Sequence, residues 1–296
     1  GLPEAFQVLD SDDQLRLVKR VVQDLQLDET RFPPKQLVWW INHHKDAGRR
    51  ASSIQVAMGD QFTRVQVQVY EEYEVRCQRS GLVDFAEILL RAHETLLKQP
   101  ALLSHYQQRF SEILVDEFQD TNNVQFAFIR LLAGERGCVF VVGDDDQSIY
   151  GWRGAQVENM QKFLRDYPKT QTIRLEQNYR STGNILAAAN AVIAHNPERL
   201  GKKLWTEDSD GSLIDLYAAF NEVDEARYVI GKIQAAIQNG SSPGDCAVLY
   251  RNNAQSRAIE EQLLSAALPY RVYGGQRFFE RMEIRDAMAY LRLVSN

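Results

Sequence analysis

The sequence predicts an α/β protein in which parallel strands alternate with helices. Three short apolar runs, at 113–115, 138–142 and 172–175, each lead directly into polar residues. Between them lie segments whose apolar residues recur at helical spacing. Apolar strands separated by helices are typical of parallel sheets that are covered on both faces. We therefore expect two such sheets, with a helical region leading into the first.

The first 110 or so residues have the pattern of helices. The acidic segment 10–13 precedes an apolar series at helical spacing, which marks a helix start. Pro33 and Pro34 interrupt the pattern. Further helices are expected over about 36–42, 61–79 and 84–98.

Helices and apolar runs continue to alternate beyond residue 111. Helices are expected over 124–133, 157–166, 181–195, 224–238 and 254–267, and from 283 to the end. Additional strands are expected over 213–220, 246–250 and 270–273.

The composition is that of a globular chain long enough for about two domains. The net charge of −6 provides no overall basic field for nucleic acid, although a local basic groove is compatible with it. Cys77, Cys138 and Cys246 lack the spacing of metal ligands. Since no apolar run has the roughly 18–20 residues of a membrane span, we expect a cytoplasmic protein without a membrane partner.

Paired carboxylates follow the first apolar run. Asp116 and Glu117 come directly after 113–115, which is the Walker B arrangement. Asp116 is suited to hold Mg²⁺, and Glu117 to orient and deprotonate an attacking water. The alternative is a strand that ends in solvated acids.

A polar and aromatic loop follows the second run. Gln147 can bind a phosphate oxygen or a catalytic water, whereas Tyr150, Trp152 and Arg153 offer flat surfaces for base stacking and a phosphate contact. The alternative is a surface loop whose aromatic rings fold back onto the core.

The third run leads into residues 176–181. Arg180 could contact a γ-phosphate as an arginine finger, and Ser181 or Thr182 could cap the next helix. The alternative is an ordinary surface arginine.

Taken in order, these segments resemble motifs of the superfamily-1 DNA helicases, and residues 252–257 resemble the family's next element. Residues 273–286 resemble the entry into its second insertion domain. The resemblance covers the chain from Leu2 to its end. It implies parts of two RecA-like P-loop NTPase domains with a helical insertion domain, ATP bound between the motor domains, and single-stranded DNA crossing them.

The resemblance divides the chain into four parts. They are the helical insertion of the first motor domain (1–110), part of that motor domain (111–176), part of the second motor domain (177–273) and the start of the second insertion domain (274–296).

The resemblance also assigns roles by residue. Asp116 and Glu117 match the Mg²⁺ and water-activating pair, Gln147 the γ-phosphate sensor, Arg180 the arginine finger, and Tyr179 a residue beside the adenine of ATP.

Four residues match DNA contacts of the family. Tyr150 and Trp152 match base-stacking aromatics, and Arg153 and Arg257 match further DNA contacts. The partners implied are single-stranded DNA, single/double-strand junctions and repair proteins.

The family's phosphate-binding loop, Gly-x-x-x-x-Gly-Lys-Thr, does not occur in this sequence, since neither 201–203 nor 231–233 supplies it. We therefore expect an internal piece of a longer protein, inactive as an ATPase on its own. The resemblance implies that the whole protein is a 3′–5′ helicase. Two alternatives stay open: a Mg²⁺-dependent nuclease that uses Asp116, Glu117 and Asp120, and a binding module for DNA or protein without catalysis.

Overall fold

The computed structural model describes residues 2–3, 5–135, 137–197, 199–273 and 282–295. The chain divides into two compact units, residues 1–209 and 210–296, which are considered separately. No helix in these described ranges is long and apolar enough to cross a membrane.

The first unit begins with a helical region. Its helices are α1 (Ser11–Asp24), α2 (Pro34–Asp46), α3 (Gln61–Ser80), α4 (Phe85–Lys98) and α5 (Pro100–Arg109). The predicted start of α1 is confirmed, because the Asp10 carboxylate accepts a hydrogen bond from the Asp13 N–H at 2.8 Å. Gly81 ends α3 in the left-handed conformation, with φ +63°. Helix α5 lies within the region expected to be helical but was not predicted as a separate helix, and none of its residues is buried.

Helices α1, α2 and α3 pack around one apolar core. Its fully buried members include Val18, Val21, Val22, Leu37, Ile41, Val69, Tyr70 and Tyr73. Two short strands, β1 (Gln7–Val8) and β2 (Leu82–Val83), pair in parallel beside it.

A buried charge network joins the C-terminal half of α2 to α4. The Lys45 ammonium lies 2.6 Å from Asp84 and 2.9 Å from Glu87, and all three side chains are almost completely buried. The Tyr73 hydroxyl donates to the same Asp84 oxygen at 2.7 Å. Because an unpaired buried charge is costly, the loss of one partner would destabilise this region strongly.

The α/β part of the first unit contains two adjacent parallel strands. Strand β3 (Glu112–Val115) pairs in full register with β4 (Cys138–Val141), and α6 (Asn123–Ala133) connects them. Helix α7 (Glu158–Asp166) follows. The rings of Phe126 and Phe163 pack edge-on against Phe118, with centroids 5.7 and 5.5 Å from it, and form the small core beneath the strands.

Residues 177–209 group with the first unit. They contain α8 (Gly183–Ile193) and an isolated parallel bridge between Gln177 and Trp205. The Arg199 guanidinium also pairs with Asp146, just beyond β4. The domain boundaries expected from the sequence stay predictions.

The second unit contains α9 (Glu222–Gln238), α10 (Ser256–Ser265) and α11 (Met282–Ser295). Ala226 and Ile230 of α9 and Leu263 of α10 are buried where these two helices pack. Of the region expected to begin a second insertion domain, residues 274–281 lie outside the described residues.

Four predicted strands are wrong for the described residues. Segments 172–175, 213–220, 246–250 and 270–273 form no ladder, and Leu175, Leu216 and Leu249 are 82%, 97% and 95% exposed. A strand forms only where a neighbour pairs with its N–H and C=O groups, and no described strand lies beside these segments. In the same described ranges the sheets have two strands each. Leu114 and Phe140 on one face of the β3–β4 sheet are 74% and 59% exposed, so the expectation that this sheet is covered on both faces is also wrong.

Candidate functional site

The site lies where β3 and β4 end side by side. Their parallel register continues one step past the strands, since the Val142 N–H donates to the Val115 carbonyl at 2.8 Å. The Phe118 N–H then donates to the Val142 carbonyl at 3.0 Å. The residues after both strands therefore gather at the carboxyl edge, where α/β proteins bind ligands.

Glu117 has an unusual backbone conformation at this edge. Its φ and ψ of +50° and +43° lie in the left-handed region, which is uncommon for a residue with a side chain. The hydrogen bond from Phe118 to Val142 holds this turn in place. Such strain clusters at functional sites.

The carboxylates of Asp116 and Glu117 are exposed at the end of β3. One oxygen of Asp116 accepts from the Glu117 N–H at 2.9 Å, and one oxygen of Glu117 accepts from the Gln119 amide at 2.6 Å. The second oxygen of each accepts no hydrogen bond within the described parts of the chain. Two hard oxygen ligands are thus available at one strand end.

Gln119 is the central residue that sequence reasoning missed. Its side chain is 1% exposed. While its Nε2 donates to Glu117, its Oε1 accepts from the Asp144 N–H at 3.0 Å. Asp144 in turn accepts from the Gln147 amide at 2.8 Å. This hydrogen-bonded series connects Glu117 to Gln147, and its only sequence signal is a glutamine two residues beyond the paired acids.

Gly143 is required for this series. A Cβ built at residue 143 would lie 2.9 Å from the Gln119 side-chain oxygen. Any larger residue would displace the amide that contacts both Glu117 and Asp144.

The three carboxylates of the acidic loop after β4, Asp144, Asp145 and Asp146, already have partners. Two nitrogens of the Arg199 guanidinium bind the two oxygens of Asp146, Lys202 binds Asp144, and the Leu200 N–H donates to Asp145 at 2.6 Å. Burial alone would raise the pKa of Asp144, but hydrogen bonds from Lys202 and Gln147 hold it below its ordinary value. Asp144 and Asp146 are therefore occupied in ion pairs, and Asp145 accepts a backbone hydrogen bond.

The aromatic side chains of the loop face solvent. Trp152 and Tyr150 are 58% and 37% exposed, so these rings are not packed into the core. The Arg153 guanidinium lies 4.5 Å from the centroid of the Trp152 ring and 5.2 Å from that of Tyr150. A cation beside two exposed ring faces can bind a base and its phosphate.

A cavity of about 620 Å³ lies between this loop and the helical region. Trp152 and Arg153 line it from the loop, and Trp39, His43 and Phe85 line it from α2 and α4. No sequence motif marks these last three, because only the tertiary structure brings them next to the loop.

Asp46, at the end of α2, joins the helical region to the loop. It accepts a hydrogen bond from the Asn122 amide at 2.8 Å. Gly154 has φ +86°, and a Cβ there would lie 2.9 Å from the other Asp46 oxygen. Burial and the charge of Asp84 raise the pKa of Asp46 to about 6.

Tyr179 and Arg180 are exposed. The Asn178 side chain accepts from the N–H groups of Arg180 and Ser181 at 2.9 and 2.8 Å, which fixes the backbone there. No hydrogen bond or ion pair between described residues joins either side chain to Asp116, Glu117 or Gln147. Of the two residues expected to cap the next helix, Thr182 occupies the N-cap of α8, but its side chain makes no capping hydrogen bond.

Arg257 belongs to the second unit. It lies in the first turn of α10, where its guanidinium donates to Glu261 at 3.1 Å. Its side chain is largely exposed, so the charge is accessible to a ligand.

Asp120 does not complete a metal cluster with the paired acids. Among the described residues, Asp116, Glu117 and Asp120 do not bring one oxygen each within 4.8 Å of one another. One carboxylate oxygen of Asp120 is buried and has no hydrogen-bond partner among the described residues. Burial and the nearby charge of Glu117 raise the pKa of the Asp120 carboxyl group. This geometry counts against the nuclease alternative.

Comparison with known protein families decides the classification. Residues 1–168 match the UvrD/REP helicase N-terminal domain, and residues 173–296 match the UvrD-like helicase C-terminal domain. The chain belongs to the UvrD/REP helicase family. The resemblance drawn from the sequence motifs is thereby confirmed.

Individual members of the UvrD/REP family are similar over the whole chain. It is 61% identical to DNA helicase II of Escherichia coli, 57% to DNA helicase II of Haemophilus influenzae and 44% to the ATP-dependent DNA helicase PcrA of Leuconostoc citreum. Each alignment covers 100% of this chain but only 40–41% of the relative.

Proposed function

We propose that this chain is part of an ATP-dependent DNA helicase that moves 3′ to 5′ along single-stranded DNA. The observation that carries the proposal is the series from Glu117 through Gln119 and Asp144 to Gln147. It aligns a potential water-activating carboxylate with a potential phosphate sensor at one edge of a parallel sheet. Family membership supports the helicase activity.

Asp116 and Glu117 fit a Mg²⁺ site. Each keeps one carboxylate oxygen free of hydrogen bonds from the described chain, and Mg²⁺ prefers one or two carboxylates together with phosphate oxygens. A bound Mg²⁺ would neutralise charge on the phosphates of ATP. Glu117 would accept the proton of the attacking water, and Gln119 holds its carboxylate in place for that transfer.

The remaining nucleotide contacts are assigned by the family resemblance. Gln147 would contact the γ-phosphate, Arg180 would stabilise the charge that develops on it, and Tyr179 would pack beside the adenine. The exposure of Tyr179 and Arg180 keeps their side chains available for these contacts.

Single-stranded DNA would bind at the exposed loop after β4. Tyr150 and Trp152 present ring faces for stacking, and Arg153 supplies positive charge for phosphates. The family resemblance assigns a further DNA contact to Arg257, in the second unit. The helical region 1–110 would be an insertion of the first RecA-like motor domain, and its cavity with the loop gives the strand a second wall. The further proposed partners are single/double-strand DNA junctions and repair proteins. The proposed localisation is cytoplasmic.

The test is unwinding by the full-length protein. Partial duplexes with a 3′ or a 5′ single-stranded tail are compared in the presence of Mg-ATP. We expect unwinding of the 3′-tailed substrate and DNA-stimulated ATP hydrolysis. Unwinding that requires a 5′ tail would contradict the proposed polarity.

A second function applies to this chain in isolation: DNA binding without catalysis. The observation that favours it is the absence of any Gly-x-x-x-x-Gly-Lys-Thr loop from the sequence. The N–H groups and lysine of that loop hold the triphosphate in P-loop enzymes. ATPase assays of the chain and of the full-length protein, side by side, distinguish the two functions.

A further inference from the structure

A row of side chains on α2 lines the same cavity as the Trp152 loop. Lys35, Trp39 and His43 are spaced four residues apart, which places them on one face of the helix. All three line the cavity of about 620 Å³, together with Trp152 and Arg153. The row therefore combines a cation, an indole and an imidazole on one wall.

Trp39 is not needed for packing of the helical core. It is 57% exposed, and its ring stacks on that of His43 at 5.3 Å with an interplanar angle of 16°. The neighbouring Trp40 packs instead against His44 and Tyr70, with centroids 4.1 and 6.3 Å away. Helix α2 thus directs one tryptophan to the core and leaves the other with a free face at the cavity.

We propose that Trp39, supported by His43 and flanked by Lys35, is a second stacking platform for single-stranded DNA. This inference rests on the proposed function, because Trp152 would hold the same strand from the loop. Aromatic faces with adjacent positive charges are the features by which proteins bind single strands without reading their sequence.

The charge of the cavity favours this occupant. Lys35 and Arg153 contribute positive charge, and Asp46 is the single carboxylate among the described residues that line it. A phosphate backbone is attracted to such a lining, and the exposed Trp39 and Trp152 rings accept bases on their faces. An acidic or purely apolar lining would instead have argued for a different ligand.

The test compares affinities for an oligothymidylate in the full-length protein, by fluorescence anisotropy at fixed salt. The variants are Trp39→Ala, Trp39→Phe and Trp152→Ala. Gln36→Ala is the matched control, because Gln36 is exposed on the same helix and does not line the cavity. Circular dichroism melting of each variant establishes that it is folded.

We expect Trp39→Ala to weaken binding about fivefold or more, as for the loss of one base–aromatic stack. Trp39→Phe keeps an aromatic face and should retain most of the affinity, and Gln36→Ala should match the wild type. If Trp152→Ala weakens binding but Trp39→Ala does not, the platform on α2 is refuted and the proposed function stands. If the wild type binds no single-stranded DNA, the proposed function and this inference both fail.

Discussion

Asp46 and Asn122 are hydrogen-bonded at 2.8 Å although 76 residues separate them in the sequence. Asp46 ends α2, and Asn122 caps α6 with a reciprocal capping box to Gln125. The backbone carbonyl of Asn122 also accepts a hydrogen bond from the Asn159 side-chain amide at 3.2 Å. The pair therefore fixes the helical region against the segment that follows the paired carboxylates.

The first prediction concerns the charge of Asp46. Burial and Asp84 raise its pKa from 3.8 to about 6, so between these values the folded chain binds more protons than the unfolded chain. This carboxylate therefore lowers the free energy of unfolding as pH rises through that range. Asp46→Asn stays neutral and keeps an oxygen acceptor for Asn122. We expect the Tm of the variant, relative to wild type, to increase from pH 4 to pH 6. Parallel curves of Tm against pH would contradict this.

The second prediction concerns Gln119 as a positioning residue. Gln119→Ala removes the donor to Glu117 and the acceptor for the Asp144 N–H. Because a small misplacement of a catalytic group is costly, we expect kcat for ATP in the full-length protein to fall about tenfold or more. KM should change little. Gln108→Ala is the control, since among the described residues the side chain of that exposed glutamine donates to Ser104 and to no residue of the site. Equal kcat values for both variants would remove Gln119 from this role.

The third prediction concerns Trp152. Trp152→Ala should weaken binding of single-stranded DNA to the full-length protein by roughly 1–3 kcal/mol, the usual contribution of one base–aromatic stack. Stacking reads no base edge, so titrations with thymidine-rich and mixed-sequence oligonucleotides at matched salt should show similar losses. A loss confined to one sequence would indicate base-specific contacts instead.

Local signals in the sequence predicted the helices well. Asp10 and Gly81 mark the start of α1 and the end of α3, as their capping chemistry indicates. The two strands that the structure confirms, β3 and β4, have each other as neighbours. Helix α5, inside the region predicted to be helical, was not separately delimited because none of its residues is buried and it lacks a clear apolar face.

Tertiary relationships were not predictable in the same way. The apolar segments at 172–175 and 246–250 resemble strands, but strand formation depends on a partner that a local pattern cannot specify. Gln119, Asp46 and Trp39 are ordinary residues in the sequence, and their importance comes from contacts made only in the folded chain. Asp116, Glu117 and Gln147 were identified from motif order, and their roles stay predictions.

The fourth prediction concerns this chain alone. Without a Gly-Lys-Thr loop it lacks the N–H groups and lysine that hold a triphosphate, so we expect weak Mg-ATP binding and no meaningful hydrolysis. Steady-state hydrolysis is measured with saturating single-stranded DNA, and residual turnover should be the same in the Glu117→Gln variant. Turnover typical of a helicase that Glu117→Gln abolishes would show that the chain is complete for catalysis.

The central claim is that Glu117 activates water for ATP hydrolysis, and Glu117→Gln in the full-length protein tests it most directly. Glutamine preserves the shape of the side chain but cannot accept the proton of the attacking water. DNA-stimulated hydrolysis and binding of a fluorescent ATP analogue are measured on the same preparation. The account predicts near-normal nucleotide affinity and a loss of roughly 10²–10⁴-fold in kcat, the usual contribution of a general base. A variant that binds nucleotide normally and keeps a near-normal kcat would contradict it.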